Sequence, residues 1–193
     1  MQWRGVDQYR LETLHRLLAH RELIIPDEAA SELHVKEGSL WNESQLEHLS
    51  LVWQRLTPWP DTCRGLELLN KRFATVALSN TYNGFLQHLV AHSSIPFTHI
   101  YSSDMFQSFK PNPEVYLGAA EKMGVKPEEC GLVASHLFDL KGAKACGFYA
   151  IYCERPLEEK HPELREENMP DLVIREDEEG FVTLAERLGV QVG

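Results

Sequence analysis

From residue 73 onward the chain alternates short apolar runs with segments of helical periodicity, and few folds accept that alternation. Phe-Ala-Thr-Val-Ala-Leu, residues 73–78, is a continuous apolar run. A strand covered on both faces reads this way, whereas a half-exposed strand alternates apolar and polar positions. Residues 99–101, 130–134, 148–153 and 172–174 are further strand candidates. Helix candidates lie between or after them, at about 83–92, 113–123, 138–146 and 181–188. This spacing predicts βαβ units and an α/β fold with a helix-covered parallel sheet. Right-handed crossovers then put all strand C-termini on one edge, where such sheets bind ligands.

Residues 1 to about 60 have a different character and read as helices with no strand. Leu11, Leu14, Leu17 and Leu18 recur at helical spacing, as do Leu46, Leu49, Val52, Trp53 and Leu56 after a start signal at Asn42–Ser44. Pro58-Trp59-Pro60-Asp61 marks a sharp boundary, with Asp61 placed as the N-cap of a helix through Leu66, Leu68 and Leu69. The expected organisation is a small helical region at 1–60 and an α/β core at 61–193. The stretch 154–170 is charged, contains Pro156, Pro162 and Pro170, and reads as a solvated surface loop. The acidic run 176–179 reads as a solvated turn.

Bulk properties narrow the function classes. The chain has 193 residues, 43% of them hydrophobic, enough for one core with a small helical addition. A formal net charge of −10 argues against a nucleic-acid-binding surface and against a polybasic membrane patch. No apolar run approaches the roughly 20 residues needed to span a bilayer. Met-Gln-Trp-Arg-Gly at the start does not read as a signal peptide. Cys63, Cys130, Cys146 and Cys153 have no Cys-x-x-Cys pair, so a zinc site is not indicated; buried free thiols in a cytoplasmic protein are expected.

Three polar segments fall at strand ends. Ser79-Asn80 follows the first apolar run: a hydroxyl and an amide there serve either to cap the next helix or to hold an anionic oxygen. Lys110 precedes Pro-Asn-Pro, which fixes the loop backbone, and is either a solvated lysine or a fixed positive charge that steadies a carboxylate. Asp139, in Ala134-Ser135-His136-Leu137-Phe138-Asp139, is either an N-cap or a site acid. His136 fits a base, a hydrogen-bond donor or a buried histidine equally well. Jointly, polar residues at the C-terminal ends of three successive strands converge on one crevice, which independent caps have no reason to do.

The order Ser-Asn, Lys-Pro-x-Pro-x-x-Tyr, and Ala-Ser-His-x-x-Asp-Leu-x-Gly-Ala-x-x-x-Gly resembles the haloacid dehalogenase-like (HAD) superfamily. It looks most like the (S)-2-haloacid dehalogenase branch, as does Trp-Gln-Arg-Leu-Thr-Pro-Trp-Pro-Asp at 53–61. The resemblance covers about residues 40–190 and implies a three-layer Rossmannoid core with a partial helical cap. It implies that Ser79 matches the residue that hydrogen-bonds the nucleophile or substrate anion, with Asn80 beside it. Lys110 matches the lysine that stabilises the nucleophilic carboxylate, and Tyr116 a tyrosine that assists in the dehalogenases. Asp139 matches the aspartate that supports ester hydrolysis or, in phosphatase relatives, helps hold magnesium. His136 and Ala134 stand where the bacterial dehalogenases usually have asparagine and serine. No cofactor is expected: the dehalogenases need no metal, and magnesium in the phosphatases requires an aspartate on the first strand.

That first-strand aspartate, the family's nucleophile, has no match before residue 73. Asp7, Asp27 and Asp61 each lie in an unsuitable context. The arginine that binds the substrate carboxylate has only candidates by proximity: Arg4, Arg10, Arg16 and Arg21. Since the family's nucleophile strand is central, its absence predicts either direct pairing of the two flanking strands or a homodimer that fills the gap. Three readings stay open: a hydrolase of a small organic halide or phosphate ester, an acid–base enzyme using His136 and Asp139, or a non-catalytic remnant or binding module.

Overall fold

The computed structural model describes residues 5–27, 29, 34–164 and 169–191, and the chain divides into two units, residues 1–56 and 57–193. In the first unit, α1 (Gly5–His20) packs against α2 (Glu43–Ser50). Leu18, Ile24 and Leu46 form its buried centre, flanked by Leu11, Leu14, Ala19, Val35 and Trp41. The Asn42 side chain accepts from Gln45 N–H while the Gln45 side chain accepts from Asn42 N–H, a reciprocal cap that fixes where α2 starts. The predicted helix over 46–56 ends early, at Ser50, and continues as a 3-10 turn at Val52–Arg55. As expected, no strand forms among the described residues of this unit; a single antiparallel bridge joins Pro26 to Val35, closed by Asp27 N–H to His34 O and Lys36 N–H to Ile25 O.

The second unit begins with α3 (Thr62–Leu69) and then alternates as the sequence predicts. Its further elements are β1 (Val76–Ser79), α4 (Asn83–His92), β2 (His99–Ser102), α5 (Pro113–Met123), β3 (Gly131–Ala134), α6 (Leu137–Ala145), β4 (Tyr149–Cys153), β5 (Leu172–Ile174) and α7 (Gly180–Arg187). The first apolar run enters its strand three residues late. Phe73 N–H still bonds Leu69 O at the end of α3, so the run starts while the chain is turning, and Phe73 is exposed.

All strand pairs are parallel, as doubly covered runs require. Along β4 the side chains alternate between two cores. Ile151 and Cys153 meet Leu66, Leu69, Val182 and Leu184 of α3 and α7. Ala150 and Tyr152 meet Tyr116, Ala120, Leu137 and Leu140 of α5 and α6. This is the expected three-layer arrangement. Around β1, Ala77 faces Leu86 and Val90 of α4, while Leu78 packs against the α5–α6 core.

Of the two expected ways to close the gap left by the absent strand, direct pairing of its neighbours does not occur. The strands do not form one continuous sheet: β1 pairs with β2, β3–β4–β5 form a second sheet, and β1 and β3 do not pair directly. Side chains nevertheless link the two sheets at the C-terminal ends of these strands. Asn80, just after β1, grips the Lys110 backbone, and the Lys110 ammonium is hydrogen-bonded to Asp139, in the first turn of the helix after β3.

Asp61 sits at the N-cap position of α3 but makes no side-chain cap bond there. Its carboxylate instead takes two parallel hydrogen bonds from Arg155, 2.7 and 2.6 Å, and a third from Phe181 N–H at 2.7 Å. Gly180 (φ +42) makes this possible, because a Cβ there would lie 2.2 Å from Asp61 Oδ2. The Arg155 guanidinium also lies over the rings of Trp59 and Phe181. The 154–170 stretch is therefore not simply solvated: Arg155 is anchored and Met169 is buried. Of the four free thiols, Cys153 is buried and the other three are half-buried.

Candidate active site

Three loop–helix junctions of the second unit build the site. The first follows β1. Asn80 Nδ2 donates to Lys110 O (2.9 Å) and its Oδ1 accepts from Lys110 N–H (2.7 Å). Asn80 is thus not the cap of the next helix; it pins the second junction to the first. The α4 cap position belongs to Tyr82. Ser79 is half-buried at the strand end, and its hydroxyl makes no hydrogen bond among the described residues.

The second junction is Lys110-Pro111-Asn112-Pro113. Asn112 caps α5 by accepting from Glu114 N–H at 3.0 Å, and Pro113 occupies the first turn, where its missing N–H costs nothing. This start fixes α5 so that Tyr116, fully buried, points at α6.

The third junction carries Asp139, and here the residues meet. Lys110 Nζ lies 2.6 Å from Asp139 Oδ2. Tyr116 Oη donates to Asp139 Oδ1 at 2.5 Å. The lysine and aspartate side chains are 13% and 8% exposed, so the pair is shielded from water and from salt. Burial first, and the Asp139 carboxylate second, push the Tyr116 phenol far above its usual range, so it stays a donor. Gly142, one turn beyond Asp139, gives the close approach: a Cβ there would lie 2.9 Å from both Tyr116 Oη and Pro111 Cβ.

His136 does not join this group. Its ring stacks on Phe138, with centroids 5.6 Å apart, and its Nε2 lies 3.7 Å from Glu158. The next residue's N–H, Leu137, is capped by Glu159 Oε2 at 2.6 Å. Sequence reasoning missed Glu159, because a Glu-Glu pair in a charged loop carries no local signal of where it will land. Of the arginine candidates, Arg4 lies outside the described residues, Arg10 and Arg16 are on α1, and Arg21 just follows it.

The donor set does not suit a magnesium ion. Both Asp139 oxygens are engaged by Lys110 and Tyr116, and no three His, Cys, Asp or Glu side chains are grouped for a metal among the described residues.

The haloacid dehalogenase-like hydrolase family matches residues 4–147, which include all six site candidates. This chain belongs to that family. The family's (S)-2-haloacid dehalogenase from Xanthobacter autotrophicus is 38% identical over 109 residues, 55% of this chain and 43% of its own. The chain spans about half the length of the curated family members it matches. Among solved structures, an L-2-haloacid dehalogenase superposes with a TM-score of 0.77 at 28% identity, covering 98% of this chain and 76% of its own. The L-2-haloacid dehalogenase from Xanthobacter autotrophicus with chloropropionic acid covalently bound gives 0.63 at 29% identity, covering 77% and 67%. The fold and branch inferred from the motifs are those of these proteins. No described helix is long and apolar enough to cross a membrane.

Proposed function

We propose that this chain supplies three sides of a hydrolytic centre for a small 2-halo acid, and that it turns such substrates over poorly by itself. The observation that carries the proposal is the shielded Lys110–Asp139–Tyr116 unit at the ends of the parallel strands. The covalent chloropropionic acid in the Xanthobacter autotrophicus relative supports a reaction in which a carboxylate displaces halide and the resulting ester is hydrolysed. Lys110 is the positive charge that holds a carboxylate ionised and oriented. Ser79 offers a hydroxyl to the same anion, and Asn80 keeps the lysine loop in place. Asp139 acts as the holder of Lys110: it is buried, and a carboxylate with both oxygens hydrogen-bonded is a poor nucleophile. Among the described residues, no second carboxylate bonds Lys110. Loss of a covalent nucleophile costs many powers of ten in rate.

The test is an assay panel of 2-chloropropionate, chloroacetate and a phosphate monoester on the purified chain, with Lys110→Ala, Asp139→Ala and His136→Ala. The expected result is slow halide release, lost in the first two variants and kept in the third. Turnover that survives both Lys110→Ala and Asp139→Ala overturns the assignment. Loss in His136→Ala alone favours the acid–base reading instead.

A further inference from the structure

We infer that the first unit carries an acid-sensitive latch: when His15 takes up a proton, the packing of α1 on α2 opens, while the second unit stays closed. His15 stands in the apolar stripe of α1. Leu11, His15 and Leu18 recur at helical spacing on one face, with Leu14 and Ala19 beside them. All four apolar members belong to the cluster at the centre of this unit. His15 itself is only 5% exposed, and its ring makes no hydrogen bond to a described residue. A neutral imidazole is tolerated in such a place, whereas a buried charge needs a partner. The centre is also small, with Leu18, Ile24 and Leu46 as its buried apolar side chains, so little packing opposes the opening.

The charged groups around His15 come from three segments. On α1, Glu12 pairs with Arg16, whose side chain is exposed, and Arg10 lies five residues before the histidine. On α2, Glu47 and His48 are exposed, while Glu43 stands in the first turn. On the bridged segment, Lys36 pairs with Asp27, and His34 Nδ1 lies 3.4 Å from Glu43 Oε1. Glu43 is the group that draws a proton toward His15, yet its carboxylate is already engaged: it accepts from Val35 N–H at 2.8 Å and faces His34. Burial outweighs the pull of Glu43 and holds the His15 imidazole below the usual histidine range. The bond from Val35 N–H, chief among several, holds Glu43 below the usual carboxylate range, so this carboxylate stays ionised while His15 titrates.

The sign of the response follows from linkage. A base with a lowered folded pKa takes up its proton more readily in the open form. The stability it contributes is full above the open-form value, about 6.5, and is lost as pH falls below it. One proton changes the opening equilibrium by at most tenfold per pH unit, so opening rises by up to about thirtyfold between pH 7.5 and pH 5. The second unit answers in a different window. Its hydrogen-bonded carboxylates Asp61 and Asp171 are held low, and their contribution is lost only below about pH 3.9. The two units therefore separate between pH 6.5 and pH 4, roughly the interval between the two model values. The latch does not depend on the proposed hydrolytic centre.

The experiment is hydrogen–deuterium exchange of the full chain between pH 7.5 and pH 5, read by mass spectrometry and corrected for the intrinsic effect of pH on exchange. The expected result is a loss of protection of about five- to thirtyfold in α1 and α2, with α3, β4 and α7 unchanged. His15→Leu is expected to abolish the loss, and His34→Gln to keep it. Unchanged protection of α1 and α2 in the wild-type chain overturns the inference. Parallel loss in both units also overturns it, since that is general acid unfolding. The same loss in His15→Leu refutes the role of His15, and its disappearance in His34→Gln moves the latch to the His34–Glu43 contact and refutes it too. A further measurement needs no folded variant: proton NMR of the wild-type histidines, with the His15 signal assigned by selective labelling. A His15 midpoint below about 6.5 is expected, and one at or above that value overturns the inference.

Discussion

The Lys110 ammonium lies 2.6 Å from Asp139 Oδ2, although the residues are 29 positions apart and sit on different loops. Removing one member of a shielded ion pair leaves the other charged and unpaired, which costs about 3–5 kcal/mol. Lys110→Met is expected to lower the unfolding free energy by that order. Lys110→Met combined with Asp139→Leu is expected to recover most of it. Urea unfolding of the single and double variants, read as a double-mutant cycle, measures the coupling.

Tyr116 is one of six tyrosines and is fully buried. Its phenol is pushed far up, mainly by burial and then by Asp139. A group whose folded pKa is raised contributes stability that is full below its unfolded pKa, about 10, and is lost as pH rises above it. Alkaline unfolding should therefore set in above about pH 10, and Tyr116→Phe should remove part of that slope. Absorbance titration at 295 nm should find a phenol that ionises only on unfolding and is missing from Tyr116→Phe. At neutral pH, Tyr116→Phe is expected to cost about 1–3 kcal/mol, because Asp139 Oδ1 loses its donor in a buried site.

Much of this site was legible in the sequence. Apolar runs and helical spacing located the strands because burial on both faces dictates composition. Lys110, Tyr116 and Asp139 were readable only jointly, since each alone fits a bland role. The split sheet was not readable: whether β1 and β3 pair depends on contacts between segments far apart in the chain, such as those that Lys110 makes to Asn80 and Asp139, 30 and 29 residues away. Asp61 shows the same limit. Its local context is that of a helix cap, but Arg155 competes for the carboxylate and two charge-assisted bonds outweigh one cap.

Gly142→Ala is expected to damage the site without touching a charged group. The added methyl would lie 2.9 Å from Tyr116 Oη, within the space that lets the phenol reach Asp139. A cost of about 1–3 kcal/mol follows from overpacking. Loss of the buried-tyrosine signature in the same 295 nm titration would separate this displacement from general loosening.

Acid stability should depend on Asp61 and Asp171. Burial favours their neutral forms, but hydrogen bonds from Arg155 and Phe181 N–H to Asp61, and from Lys144 and Ala150 N–H to Asp171, hold both below the usual carboxylate range. Depressed folded pKa values contribute stability that is present above about pH 3.9 and lost as pH falls through the folded values. Asp61→Asn should flatten the acid limb of stability against pH, measured by circular dichroism from pH 5 to pH 2.

The Asp61 clasp also imposes a schedule on biosynthesis. Asp61 leaves the ribosome 94 residues ahead of Arg155 and 120 ahead of Phe181. At cellular elongation rates the interval before Arg155 appears is roughly 5–20 s. During that time α3 has neither its ionic partner nor the helix that covers it. The first helix of the second unit is therefore among the last to be secured, and a nascent chain stopped short of residue 181 exposes both the acid and the apolar face of α3 to whatever quality control it meets.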